Sequence, residues 1–577
     1  VEYGKISPEL ALAYDTYVES GWERLAAHLD SHDLAGFAVP AEEEQPVRVV
    51  VNLMCDPEAD LGELADIGVS IDEGGRRVRT ASLPLDALEQ LTEHPGVEWV
   101  GHDEHVHPRL DVAADKVGLP EYRTRTSTSG KGVLIGIVDT GIDATHTEIT
   151  GRVQRIWDQT VTGNGVPEGK YGTEYTGSDV TKSKDTRGHG THVAGIAAGA
   201  GATYRGVAPE AELVVVKSTL DSSGVIAGIR YLARIAKEAK KPLVINLSIG
   251  RQMHPHDGTD LMSMAVDEAS GPGVVVCCSA GNDGSSPIHT EANVGPHEVT
   301  IPCNYGFYDQ YGYFCVNGWY SGTDEIEFAL EASNGARTPF QGLIKAGKPY
   351  TSHKLDEWEV YLAHGVDARN KDNYIATTVI PPSDAEKKRS FWKLVLRGKS
   401  LSKPMITHLD VWCRGDVYLA GPGDHTKMTI DAPGDASKAI TVGAYITRKK
   451  WTDIKQLDWQ YSSYTENAMA PFSSQGPLRN GTEKPNVAAP GAVIVSCLSS
   501  TVAEKPASED TPDANHVISS GTSMSAPFIA GIAALLLQKE PALDATKIRD
   551  KLAYWPKSDA KHDQDVWGEG LIDLDQM

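Results

Sequence analysis

The sequence predicts an α/β protein: a mostly parallel, helix-covered sheet, with a small α+β domain ahead of it and an antiparallel β-sandwich set into it. Three observations carry this reading. Short, continuously apolar runs alternate with helical stretches from Gly132 onward, residues 304–433 turn β-rich with no convincing helix, and the first fifth of the chain holds most of the net charge. At ~150 residues per domain, 577 residues leave room for three or four folded units.

Residues 1–110 carry 23 Asp+Glu against 7 Lys+Arg, about −16 of the net −25. Residues 8–29 read as a helix within an extension, 1–46. Over 47–107 the pattern runs strand (Val47–Leu53), helix (Pro57–Ile67), hairpin (69–83, turning at Gly74-Gly75), helix (Leu85–Thr92) and strand (Val97–Gly101). That order is ferredoxin-like. The acidic run Glu42–Glu44 reads as a solvated linker.

The apolar runs VLIGIVD (133–139), LVVVK (213–217), LVINLSIG (243–250), VVVCCSAG (274–281) and ITVGA (440–444) lack two-residue alternation. They suit strands buried on both faces, as in a parallel sheet covered by helices. This core is expected over 108–303 and 434–577. Between them, EIEFALEAS, WEVYLA, YIATTVI, FWKLVLRG and THLDVWCRG alternate, and 304–433 is expected to be an inserted antiparallel β-sandwich.

Composition narrows the function classes. With 54 basic against 79 acidic residues, phosphate binding would work against the global field, so nucleic acid is not an expected partner. No apolar run reaches 18 residues, so no membrane-spanning segment is expected. Seven scattered cysteines without a CxxC pair do not make a disulfide scaffold, and the odd count leans toward a reducing, cytoplasmic setting. The first residues, VEYGKISPEL, show no signal peptide.

Chemistry concentrates in four segments. VDTGID places Asp139 at the carboxyl end of a buried strand, GHGTHVAGIAAG places His189 before a small-residue helix, and GTSMSAPFIAGIAALLLQ places Ser523 where a glycine-led turn enters a helix. A serine hydroxyl needs an imidazole to take its proton, and the imidazole needs a carboxylate to hold its tautomer and stabilise its cation. CCSAGNDG adds Asn282, whose amide can pair with the Ser523 N–H as an oxyanion hole. Pro527 is expected in the first helical turn. Alone, DTG is weak, and HGTH lacks the spacing of HExxH, so no metal site is expected there. The four segments together leave little room for a structural coincidence.

These motifs, with GVAP (206–209), NLSIG, ITVGA, FSSQGP (472–477) and KPNVAAPG (484–491), resemble the subtilisin-like serine proteases, the subtilases, over roughly 125–303 and 434–573. The resemblance implies a three-layer core around a seven-stranded parallel sheet, an Asp139-His189-Ser523 triad, an oxyanion hole of Asn282 and Ser523, and endopeptidase activity on polypeptides. It assigns Ser248, Ile249 and Gly250 to the strand that pairs with a bound peptide backbone. It makes 47–107 a propeptide, chaperone and intramolecular inhibitor, with self-cleavage within about 104–125. The inserted sandwich, GRQMHPHDGTD (250–260) and GNDGSSPIHTEANV (281–294) are similar to the clostridial Csp-like branch, with a retained propeptide and a jelly roll. No cofactor is implied. The calcium loop of many subtilases is not evident in AGAGATYRGVAP (198–209), although structural calcium stays open.

Smaller signals have local readings. HDEHVH (102–107) reads as a polar strand end, or as a pH-sensitive latch if its histidines enter the cleft. Cys277 and Cys278 read as core packing. Met524 would be sensitive to oxidation if exposed. Two rivals to a protease remain: a catalytically silent relative acting as a binding or regulatory protein, and an esterase or acyltransferase using the same triad.

Overall fold

The structure is a computed structural model that describes residues 1–26, 37–38, 46–71, 77–102, 107–108, 115–306, 312–382 and 390–577, except 416, 422, 424, 553–562 and 575–576. It divides into two compact units. One comprises Val1–His105, Gln252–Pro255 and Ser286–Thr426; the other comprises Val106–Arg251, His256–Ser285 and Lys427–Met577.

The second unit is built on one eight-stranded sheet, in the order Val487–Ala492, Ile440–Ile446, Val274–Ser279, Leu243–Leu247, Leu134–Asp139, Glu212–Lys217, Val153–Asp158 and Thr173–Thr176. Seven strands are parallel, and Thr173–Thr176 adds an antiparallel edge. Every residue of Leu134–Asp139 is buried because both faces are covered. Ile135 and Ile137 join the cluster holding Ile196, Ile529 and Ile532 of the helices His189–Ala198 and Thr522–Lys539. Gly136 and Val138 point the other way, against Leu232 and Gly228 of the helix Ser222–Ala239. Helix, sheet and helix make three layers. Asp221 caps the Ser222–Ala239 helix by accepting the Gly224 N–H at 2.6 Å.

The first unit begins with the helix Pro8–Ala26 and an antiparallel sheet. Its central strand, Arg48–Cys55, has Val78–Pro84 on one side and Val97–His102 on the other, and Ser70–Ile71 lies beyond Val78–Pro84. With the helix Leu88–Glu93, this is the ferredoxin-like order. The helix expected over 57–67 is instead a 3-10 turn, Gly62–Ile67. Asp56 and Asp60 each accept a backbone N–H two residues on, from Glu58 and Gly62, and these local turns displace helical hydrogen bonds. The turn at Gly74-Gly75 and the run Glu42–Glu44 lie outside the described residues.

The sandwich follows in the same unit. One sheet is His289–Val294, Thr407–Gly415, Phe314–Tyr320, Asn373–Ile380, Trp358–Val366 and Tyr350–Leu355; the other is Gln341–Gly342, Glu325–Glu331, Ser390–Ser400, Val299–Tyr305 and Val417–Leu419. Phe314, Phe328, Trp392 and their neighbours fill the space between. Its first strand starts at His289, upstream of the expected boundary at 304. The pairings that recruit 289–294 and 299–305 are made to Thr407–Gly415 and Ser390–Ser400, about a hundred residues downstream, which local alternation cannot reveal.

Candidate active site

Parallel strands deliver their carboxyl ends to one edge of the sheet, where open α/β sheets place their chemistry. Three neighbouring strands do so here. Leu134–Asp139 ends on Asp139, Leu243–Leu247 runs directly into Ser248, and Val274–Ser279 is followed by Asn282.

His189 opens its helix with Nδ1 2.5 Å from Asp139 Oδ1, and Asp139 is completely buried. The same oxygen accepts the Thr140 N–H at 2.7 Å. Gly188 reaches the helix through a left-handed φ of 84°. At Gly190 a Cβ would lie 2.1 Å from the Gly141 carbonyl oxygen, so only glycine lets the helix come this close to the Asp139 strand. A second carboxylate braces the pair. Buried Asp185 accepts from Thr140 Oγ1 and the Gly188 N–H through one oxygen, and from Thr191 N–H and Oγ1 through the other. Thr140 Oγ1 in turn accepts the Gly190 N–H at 2.9 Å. Asp185 was legible only as a carboxylate four residues before His189.

Ser523 lies in the first turn of Thr522–Lys539, where backbone N–H groups lack intrahelical acceptors. Its hydroxyl donates to the Ser248 carbonyl at 3.0 Å. Pro527 sits one turn deeper than the sequence implied. Having no N–H, it leaves the Ser523 carbonyl without its i+4 donor, and Ser248 Oγ donates there instead at 2.7 Å. Ser248 therefore holds Ser523 in place, its Oγ also accepting from Asn246 Nδ2 at 2.9 Å. Asn282 Oδ1 accepts the Thr522 N–H at 2.8 Å and Thr522 Oγ1 at 2.9 Å, which fixes the amide plane.

Of the three residues expected to line a bound peptide, Ile249 and Gly250 form a strand paired antiparallel with His107–Pro108. The Ser248 side chain is buried as well, in the contacts with Asn246 and the Ser523 carbonyl given above. Residues 103–106 and 109–114 and the side chains of His102 and His107 lie outside the described residues, and the latch reading of HDEHVH falls there.

The remaining signals resolve locally. His192 is fully buried, its Nε2 donating to the Val517 carbonyl at 3.1 Å, and burial pulls its pKa down to about 3. The two histidines of HGTH thus serve different partners. Cys277 and Cys278 are buried in the core, where burial pushes both thiols up. Met524 is wholly buried, so the condition for its sensitivity to oxidation is not met.

One further ionisable group lies close by in the chain. His516 begins the strand His516–Ser519, which leads into the Ser523 turn. Its Nδ1 meets Asp513 at 2.8 Å and its Nε2 meets Glu148 at 3.1 Å, with His146 and Tyr204 packed on the ring. Burial opposes its charge, but the two carboxylates outweigh burial and raise its pKa above 6.5. A raised folded value gives stability that is complete below the unfolded pKa and lost as pH rises through the folded one. His516→Gln is therefore expected to lower Tm more at pH 5.5 than at pH 9. Equal losses at both would show that the ring acts only by packing.

The Subtilase family model matches residues 130–339 and 383–555, more than half of the chain, and the chain belongs to that family of serine-type endopeptidases. It is similar to the serine protease AprX of Bacillus subtilis, 23% identical over 86% of this chain and 78% of AprX. The minor extracellular protease Vpr of Bacillus subtilis is 25% identical over 78% of this chain, which spans half of Vpr. Among solved structures, the CspB protease of Clostridium perfringens shares the fold, with a TM-score of 0.65 at 22% identity over 80% of this chain and 95% of that one.

Proposed function

We propose that the protein hydrolyses peptide bonds through an acyl-enzyme on Ser523, with Asp139 and His189 as the other triad members. The observation that carries this reading is the buried 2.5 Å contact between His189 Nδ1 and Asp139, at the same sheet edge as Ser523. With a substrate bound, the Ser523 hydroxyl leaves the Ser248 carbonyl by rotation about χ1, passes its proton to His189 Nε2 and bonds to the scissile carbonyl carbon. Asp139 stabilises the imidazolium. Asn282 Nδ2 and the Ser523 N–H donate to the oxyanion; Asn282 is preset because its Oδ1 is already held by Thr522. His189 then gives the proton to the leaving amine, and water, deprotonated by His189, releases the acid.

The N-terminal domain acts as a self-cleaved, retained propeptide. Supporting this, His107–Pro108 already pairs with Ile249–Gly250, the position for a substrate backbone. Within the first unit, Asp15 accepts from Tyr3 at 2.8 Å and from sandwich residue Tyr350 at 3.0 Å, Lys348 bridges Asp15 and Glu19, and Arg369 stacks on Trp99. The sandwich thus has the contacts to keep the domain after cleavage. No calcium is required for activity in this reading. The Arg152 guanidinium donates to the carbonyls of Ala198 and Glu148, bringing a fixed positive charge to the 198–209 segment.

Intact mass of wild type and Ser523→Ala, each with and without a fluorophosphonate in the presence of EGTA, tests the reading. The reagent forms an Oγ–P bond with loss of fluoride. Wild type is expected as two fragments split within 104–125, the larger with one adduct, and Ser523→Ala as one unlabelled chain. Equal labelling of both proteins would overturn the assignment of Ser523. A wild type that stays whole would overturn self-processing.

A further inference from the structure

The sandwich contains a cluster of titratable side chains that the proteolytic chemistry does not use. In the register of its edge strand His289–Val294 with Thr407–Gly415, Glu291 lies directly opposite Asp410, and Asn293 opposite His408. Ala292, Val294, Leu409 and Val411 point into the sandwich core, so the polar residues share the outer face. Two carboxylates directly across a ladder repel one another. Asp410 is nearly inaccessible, which makes its uncompensated charge costly.

The imidazoles answer this in a particular geometry. His408 Nε2 lies 3.3 Å from Asp410 Oδ1 and 3.6 Å from Glu291 Oε2, and one ligand atom from each residue falls within 4.8 Å of the others. Ligand bonds of about 2.0–2.2 Å in a tetrahedron put neighbouring ligand atoms roughly 3.3–3.6 Å apart. On the other side of its ring, His408 Nδ1 reaches Asn293 Oδ1 at 3.4 Å, which sets the proton on Nδ1 and aims the Nε2 lone pair at the carboxylates. His289, itself buried, approaches Asp410 Oδ1 with Nε2 at 3.3 Å and orients it. Glu291 and His408 are each nearly half exposed, so an ion has a path in.

We propose that Glu291, His408 and Asp410 bind a divalent transition-metal ion, with Zn²⁺ the best match, and that Asn293 and His289 position the ligands. One imidazole with two carboxylates suits zinc better than calcium, which takes six to eight oxygens. Three protein ligands leave one position for water, so the ion exchanges more readily than one in a closed four-ligand site. It joins the first strand of the insertion to the last long one, bracing the two ends of the inserted segment against each other.

Calorimetric titration of the metal-free full chain with Zn²⁺, repeated on His408→Ala, Glu291→Gln and Asn293→Ala, tests this. Wild type is expected to take up one equivalent more than His408→Ala and Glu291→Gln. Asn293→Ala should keep that equivalent with affinity lowered by about tenfold or more. Co²⁺ added to wild type should give a visible absorption band that His408→Ala lacks. Both ligand positions are partly exposed, so these variants are expected to fold, and unchanged far-UV circular dichroism checks it. Identical Zn²⁺ stoichiometry in wild type and both ligand variants would overturn the site, leaving His408 only as a polar contact of Glu291 and Asp410.

Discussion

Asp139→Asn is expected to reduce turnover by about 10⁴-fold while the chain still folds. Asp139 Oδ1 serves two donors, His189 Nδ1 and the Thr140 N–H, and its other oxygen is buried without a hydrogen-bond partner among the described residues. An asparagine that keeps its oxygen toward both donors buries its NH₂ group unpaired and loses the charge that stabilises the imidazolium in the proposed mechanism. Flipped, it turns the NH₂ toward both donors and forces His189 into the wrong tautomer. Either outcome removes transition-state stabilisation. The measurement is kcat and KM on a peptide substrate, with the loss expected in kcat. A decrease below about tenfold would mean that His189 does not depend on this carboxylate.

The second large effect concerns Asn282. Asn282→Ala is expected to cost roughly 100- to 1,000-fold in kcat with little change in KM, the signature of a donor used only when the oxyanion forms. Alanine also removes the acceptor for Thr522, so that variant alone cannot separate a donor from a brace. Asn282→Asp separates them. It keeps an oxygen for the Thr522 N–H and hydroxyl but sets a negative charge where the donor stood, so its loss should match or exceed that of alanine. Near-normal turnover in the Asp variant would reassign Asn282 to bracing the Ser523 turn.

Much of this architecture was legible because each signal was local. The runs 133–139, 243–250 and 274–281 announce strands buried on both faces, and Asp139, His189, Asn282 and Ser523 stand in short segments whose turn and helix residues fix their positions. What the sequence hid depends on partners far away in the chain. The sandwich starts at His289 because 289–294 finds Thr407–Gly415. Ser248 turns inward because Pro527 leaves a carbonyl to be satisfied, a consequence visible only once the helix start is placed. Asp185 and the sandwich cluster escaped for the same reason: single polar residues give no periodicity, and only the fold shows what they face.

The insertion also bears on how the protein is made. Val274–Ser279 pairs on one side with Leu243–Leu247, but its other neighbour, Ile440–Ile446, follows about 160 residues later. Loop length itself adds little cost, about 0.6 kcal/mol for each doubling. Time is the greater burden. At about 5–20 residues per second, translation leaves that strand with an open edge for roughly 10–30 s. Its unpaired N–H and C=O groups can template pairing with another nascent chain during that interval. The length of the sandwich thus sets the period in which the nascent catalytic sheet is most exposed to aggregation.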